Sequence, residues 1–235
     1  IRFTKPKIMK NYFRTTFLFI VSLCIVTQVS AQSLGIKTGL NLSKALMKYD
    51  GETFSDEEEF TLKGGFNIGA GFEIPITDFM WIEPCMLISS KGMKYVDEGT
   101  YNDGEDWKET EKSNLYYLEI PVNVMFGYEF GFGKVYGIFG PYAGIGLTGK
   151  YKEIEEEDGE SDSYTEDIEW GNGVNDDVKR PDVGLRLGAG AQIIGFELSL
   201  VYAMGLLNIS AWENYVWKNR VFGITFAYRF DFSKE

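Results

Sequence analysis

A two-residue alternation of apolar and polar side chains recurs along this chain and restricts what it can fold into. In "LGIKTGLNL", Leu34, Ile36, Leu40 and Leu42 alternate with Gly35, Lys37, Gly39 and Asn41. In "TLKGGFNIGAGFEIPI", Leu62, Phe66, Ile68, Ala70, Phe72 and Ile74 alternate with Lys63, Gly65, Asn67, Gly69, Gly71 and Glu73. Residues 79–96 set Ile82, Pro84, Met86 and Ile88 against Glu83, Ser89 and Lys91, with Trp81 and Leu87 blurring the pattern. Residues 114–128 set Leu118, Ile120, Val122, Val124 and Phe126 against Glu119, Asn123 and Gly127. The same period runs through 183–193, 196–206 and 219–232, while 134–149 is Gly-rich on both phases and leaves its phase open. Side chains two apart share one face of a strand, so the chain predicts eight strands.

The connections alternate in length. Short ones fall near Thr77-Asp78, at "EFGFG" and near Ile194-Gly195, and long polar ones cover about 47–60, 97–113, 150–182 and 207–218. Short turns on one side and long loops on the other, joining eight antiparallel strands, fit an up-and-down transmembrane β-barrel. A soluble barrel would use the same alternation with its faces exchanged. The polar phase argues for the membrane. Its charges are Lys37, Lys63, Lys91, Arg186 and Arg229 against Glu73, Glu83, Glu119, Glu197 and Asp231, five of each sign. Beyond residue 31 the chain holds 18 basic and 35 acidic residues, a net of −17, because all five basic residues of 1–31 lack acidic company. A face in water would share that acidic excess, whereas a narrow lumen must pair its charges. The ten residues are therefore expected to form a lumen charge network. An acidic chain of this kind offers no field for nucleic acid.

Residues 1–31 read as an N-terminal extension and a secretory signal peptide. The start is expected at Met9, with Lys10 and Arg14 ahead of an apolar stretch from Phe17 to Val26, and cleavage after Ala31. The remainder, 32–235, is expected to be one barrel domain that keeps a single cysteine, Cys85, read as a packing residue.

The segments "LGIKTGLNLS", "GFNIGAGFEIPI", "EPCMLISSKGMKY", "YYLEIPVNVMFGY", "GIFGPYAGIGL", "DVGLRLGAGAQI" and "YRFDF" resemble the PorT-like outer-membrane β-barrel proteins of Bacteroidetes over roughly 33–232. The resemblance implies an eight-stranded outer-membrane barrel, a lipid environment, and insertion by barrel assembly machinery that reads a C-terminal aromatic, here Phe232. Contact with other envelope proteins is a further option, and a monomeric barrel is the expected state.

Catalytic and cofactor signals are weak. "GIGLTGKY" at 144–151 imitates a phosphate loop, yet it lies on a strand rather than ahead of a helix, and Tyr151 stands where Ser or Thr would hold a metal. Its glycines are read as small residues in a tightly filled barrel. The absence of His removes the commonest general base and most zinc sites. The acidic stretch 152–177 has no calcium-loop spacing and reads as a solvated loop. The expectation is a non-enzymatic structural or surface-binding barrel without cofactor or metal. A narrow solute or ion channel and an accessory subunit of an outer-membrane secretion system are the alternatives.

Overall fold

The computed structural model describes residues 33–53, 60–101, 105–157, 160–173 and 175–232. The segment 1–31, read above as an N-terminal extension and signal peptide, lies outside the described residues. Among the described residues eleven strands form the fold: β1 (Ser33–Tyr49), β2 (Glu52–Thr53), β3 (Phe60–Thr61), β4 (Lys63–Thr77), β5 (Met80–Thr100), β6 (Asp106–Phe130), β7 (Gly133–Glu157), β8 (Glu160–Asp167), β9 (Pro181–Ile193), β10 (Phe196–Gly205) and β11 (Tyr215–Asp231). Eight of them pair in the order β1-β4-β5-β6-β7-β9-β10-β11, and β11 pairs back onto β1. That last ladder runs from Ser33↔Asp231 to Tyr49↔Tyr215 without a break, so the sheet is an antiparallel ring of eight staves. β2, β3 and β8 are additions at the outer end.

The exposure of alternate residues settles which face meets what. Leu40 is 61% exposed, Phe226 55% and Phe66 42%, while their strand neighbours Lys37, Asn67 and Thr225 are buried. Polar side chains therefore point into the ring and apolar ones away from it, the reverse of a barrel dissolved in water. Phe79, Phe132, Phe196, Tyr228, Phe230 and Phe232 ring the short-turn end with exposed aromatic side chains, as a membrane–water interface favours. Short turns keep that end compact. Ile194 and Gly195 take left-handed φ values of 49° and 84°, a two-residue hairpin, and the Ile194 N–H donates to the Phe132 carbonyl of the neighbouring turn.

The open phase of β7 resolves with Lys134, Tyr136, Ile138 and Tyr142 inward and Val135, Phe139 and Ile145 outward. A bulge between Tyr116 and Tyr117 opposite 146–148 then shifts the register, so that Gly149 and Tyr151 continue the inner face. This bulge is why one alternating pattern does not run through "GIGLTGKY".

Two of the expected long loops are largely strand. β5 and β6 stay paired up to Thr100↔Asp106, β6 and β7 up to Trp107↔Glu157, and β8 adds a fourth strand from Lys150↔Asp167 to Glu157↔Glu160. Charged residues occupy both faces there, which hides the alternation that marks the rest of the barrel. At 25 residues β6 is more than twice the nine to eleven that cross a bilayer, so this sheet extends beyond the hydrocarbon core.

The face assignment carries a direct test. Ile120, about half exposed near the middle of the outward apolar column of β6, faces hydrocarbon, so Ile120→Arg should destabilise the barrel by about 2–4 kcal/mol. Urea unfolding from lipid vesicles measures this, and a near-zero effect would contradict the outward face meeting lipid.

Candidate functional site

The interior of the ring is the place where the chain concentrates its polar chemistry, and it is built in layers. Nearest the short turns, Arg229 on β11 sits among three carboxylates. Its Nε donates to Glu197 at 2.7 Å, one Nη lies 3.1 Å from Glu73, and the other pairs with Glu83. Lys37 bridges Glu83 at 2.8 Å and Glu197 at 3.0 Å. Lys134 pairs with Glu73 and lies 4.6 Å from the Trp81 ring centre. Asn123 donates to Glu83 at 2.9 Å. Three cations thus meet three carboxylates, all buried, and the layer is neutral. Seven of the eight staves, all but β9, contribute because inward positions of neighbouring staves converge on one axis.

The middle of the lumen is uncharged on one side. Asn67 donates to Asn41, and Asn41 donates to Ser89, at 2.9 and 3.0 Å. A cavity of about 30 Å³ remains here, lined by these residues together with Lys91, Glu119, Tyr142 and Arg186. That is room for a water molecule or so, not for a solute. Above it, Asp182 accepts from Lys91 at 2.9 Å, Asn219 at 3.0 Å and Tyr142 at 3.2 Å, and Lys91 also pairs with Glu119. The Lys91 ammonium lies 4.3 Å from the Tyr142 ring centre, which adds cation–π attraction.

The outer mouth is closed by apolar side chains. Ile168, Trp170, Val178 and Ile209 from the segments after β8 and β10 pack onto Leu115, Tyr117 and Trp217 of the wall. Trp170 meets Tyr117 edge-on with ring centres 5.7 Å apart. The Trp170 ring occupies the space over Gly146, where an added Cβ would sit 2.1 Å from it. Arg180 holds the same spot, donating to the Gly146 carbonyl at 2.8 Å while its own carbonyl accepts from the Gly146 N–H. "GIGLTGKY" is the seat of this cap: Gly146 admits Trp170 because it has no side chain.

Of the residues expected in a lumen network, Lys37, Glu73, Glu83, Lys91, Glu119, Glu197 and Arg229 lie in the ion pairs just described. Arg186 lines the central cavity. Lys63 is buried at the outer end of β4 and donates to the Gly64 carbonyl at 3.3 Å. Asp231 is exposed at the rim, opposite Ser33 in the last rung of the ring, one inward position beyond the covered Arg229. Phe232 is 60% exposed at the same rim. Lys134 and Asp182, which complete the two charged layers, were outside the expectation because they border a turn and a long connection. Both stand on the inward phase of their strands, two residues before Tyr136 and Gly184, and that parity is the signal that would find them.

Two substitutions test this interior. Arg229→Met leaves three buried carboxylates to two lysines and should cost about 3–5 kcal/mol, with a smaller loss when Glu197→Met is added; unfolding from vesicles distinguishes the two. Gly146→Val should displace Trp170 and shift tryptophan emission to the red, a shift that disappears when Trp170 is already Phe.

The sequence matches the outer membrane protein beta-barrel domain over residues 28–211. No curated protein matches it. Solved structures that resemble it include Ail, the attachment invasion locus protein of Yersinia pestis in complex with the heparin analogue sucrose octasulfate, at 18% identity, covering 84% of this chain and 98% of that one with a TM-score of 0.34. Neisserial surface protein A follows at 10% identity, 84% and 97% coverage and 0.36. An outer membrane channel from Pseudomonas putida F1 stands at 10%, 84% and 95%, and 0.29. With a family match across most of its length and a closed ring of staves that is apolar outside and polar inside, the chain belongs to the outer membrane protein beta-barrel domain family.

Proposed function

We propose that this outer-membrane barrel is non-enzymatic and non-conducting, and acts as a scaffold that presents its outer sheet at the cell surface. The observation that carries the reading is the filled lumen. A permeating ion would have to part the Arg229–Glu83–Lys37 cluster, pass the Lys91–Asp182 layer and lift the Trp170 cap. Each buried pair costs several kcal/mol to break, so thermal opening is rare. The lumen carboxylates are held by cations and amides, which suits a structural role better than proton transfer. The finer reading places the chain among PorT-like proteins of Bacteroidetes, exported by the segment 9–31 and inserted through recognition of Phe232. Planar bilayer recording tests the central point: purified protein should give no discrete conductance steps, and reproducible steps would overturn it.

The sheet above the membrane is the feature left for surface contact. Its inward face stacks Asp97, Glu109, Glu155 and Asp162 across four strands, with Glu111 and Glu153 beside them. Partial burial, and then Glu111, Glu153, Glu155 and Asp97, raise the Glu109 carboxyl above its ordinary value. A carboxyl whose folded pKa is raised binds its proton more tightly when folded, so folding of this sheet gains stability as pH falls towards that value. Hydrogen exchange of the β6 and β7 amides beyond Asn114, corrected for intrinsic rates, should slow on mild acidification. Faster corrected exchange would contradict the assignment.

A further inference from the structure

The outward face of the same sheet carries a row of lysines that makes no ion pair among the described residues. Lys94 pairs in register with Lys112, and Lys112 with Lys152, so three like charges lie side by side across β5, β6 and β7. Side chains directly opposite on neighbouring strands are about 5 Å apart at Cβ, and like charges there repel. Among the described residues none of the three makes an ion pair, although Lys108 pairs with Glu98 and Lys150 with Asp167 nearby. The carboxylates that would compensate them, Glu109, Glu111 and Glu153, belong to the opposite face. In a chain with a large acidic excess, this segregation leaves a cationic strip on the outward face of β5, β6 and β7.

Its height is informative. Ile88, Leu118 and Ile145 form the last wholly apolar outward row, followed by Ser90, Tyr116 and Thr148. The lysine row stands four residues beyond Tyr116, about 13 Å along a tilted strand, and the lysine stems reach back towards the apolar band. That is the level of lipid headgroups at the long-loop end. We propose that Lys94, Lys112 and Lys152 form a binding site for the phosphate group of an outer-leaflet lipid, which bridges the three ammonium groups and fixes the depth and rotation of the barrel. The site rests on the membrane seat of the barrel and is independent of whether the lumen conducts.

The test is titration of the detergent-solubilised barrel with short-chain phosphatidic acid, with phosphatidylcholine of the same chain length and inorganic phosphate as separate arms. Wild type should bind phosphatidic acid saturably, and Lys112→Gln should weaken this about fivefold and the triple Lys→Gln variant about a hundredfold. Retained heat-modifiable migration on gels verifies that each variant is folded. In phosphatidylcholine alone the triple variant should be at least as stable as wild type, because a repulsion has been removed. Equal phosphatidic acid affinity for wild type and triple variant would overturn the site. So would inorganic phosphate binding as tightly as the lipid, or a loss of the same size from Lys108→Gln.

Discussion

Every feature of this protein depends on the closure of one hydrogen-bond ladder. Hydrocarbon offers backbone N–H and C=O groups no partner, so a sheet can cross a bilayer only when its first and last strands pair. β1 and β11 do so along the whole of β1, from Ser33 to Tyr49. The closed ring then dictates the side-chain pattern. With lipid on one side and eight staves converging on the other, alternate residues must be apolar or must find polar company in a narrow interior.

That interior is crowded, and its contents explain much of the unusual composition. Long Arg, Lys and Glu side chains occupy the axis, and glycines make room beside them. Gly71, for example, faces Cys85 and Glu83 so closely that an added Cβ would lie 2.6 Å from the thiol. Cys85 is buried with its thiol near the Asn123 amide, consistent with a packing role. The charges are grouped into a neutral lower cluster and an upper one around Asp182, with amides, apolar groups and Arg186 between. Stability and occlusion thus have the same origin, since the groups that neutralise one another are also those that fill the bore.

The eight staves were legible in the sequence because one face of each meets lipid, which enforces a strict period of two. Where that constraint lapses, legibility lapses too. β7 was ambiguous because Tyr136, Ile138 and Tyr142 are apolar or aromatic yet inward, and because a bulge at 146–148 changes its phase. The upper parts of β5 to β8 read as loops in the sequence because both faces there meet water and bear charges. Charged residues at strand ends are hard to read for a related reason: Asp231 and Asp182 share the inward parity, yet Asp231 is exposed at the rim and Asp182 is buried within. The role of Trp170 required the three-dimensional structure, since nothing local ties residue 170 to Gly146.

The central claim is the orientation of the two faces, and one scan reads it directly. Single cysteines placed along β10 from Phe196 to Val201, in a Cys85→Ser background, can carry a fluorophore in vesicles of brominated lipid. The account predicts strong quenching at 196, 198 and 200 and weak quenching at 197, 199 and 201. Quenching in the opposite phase, or uniform along the strand, would contradict it.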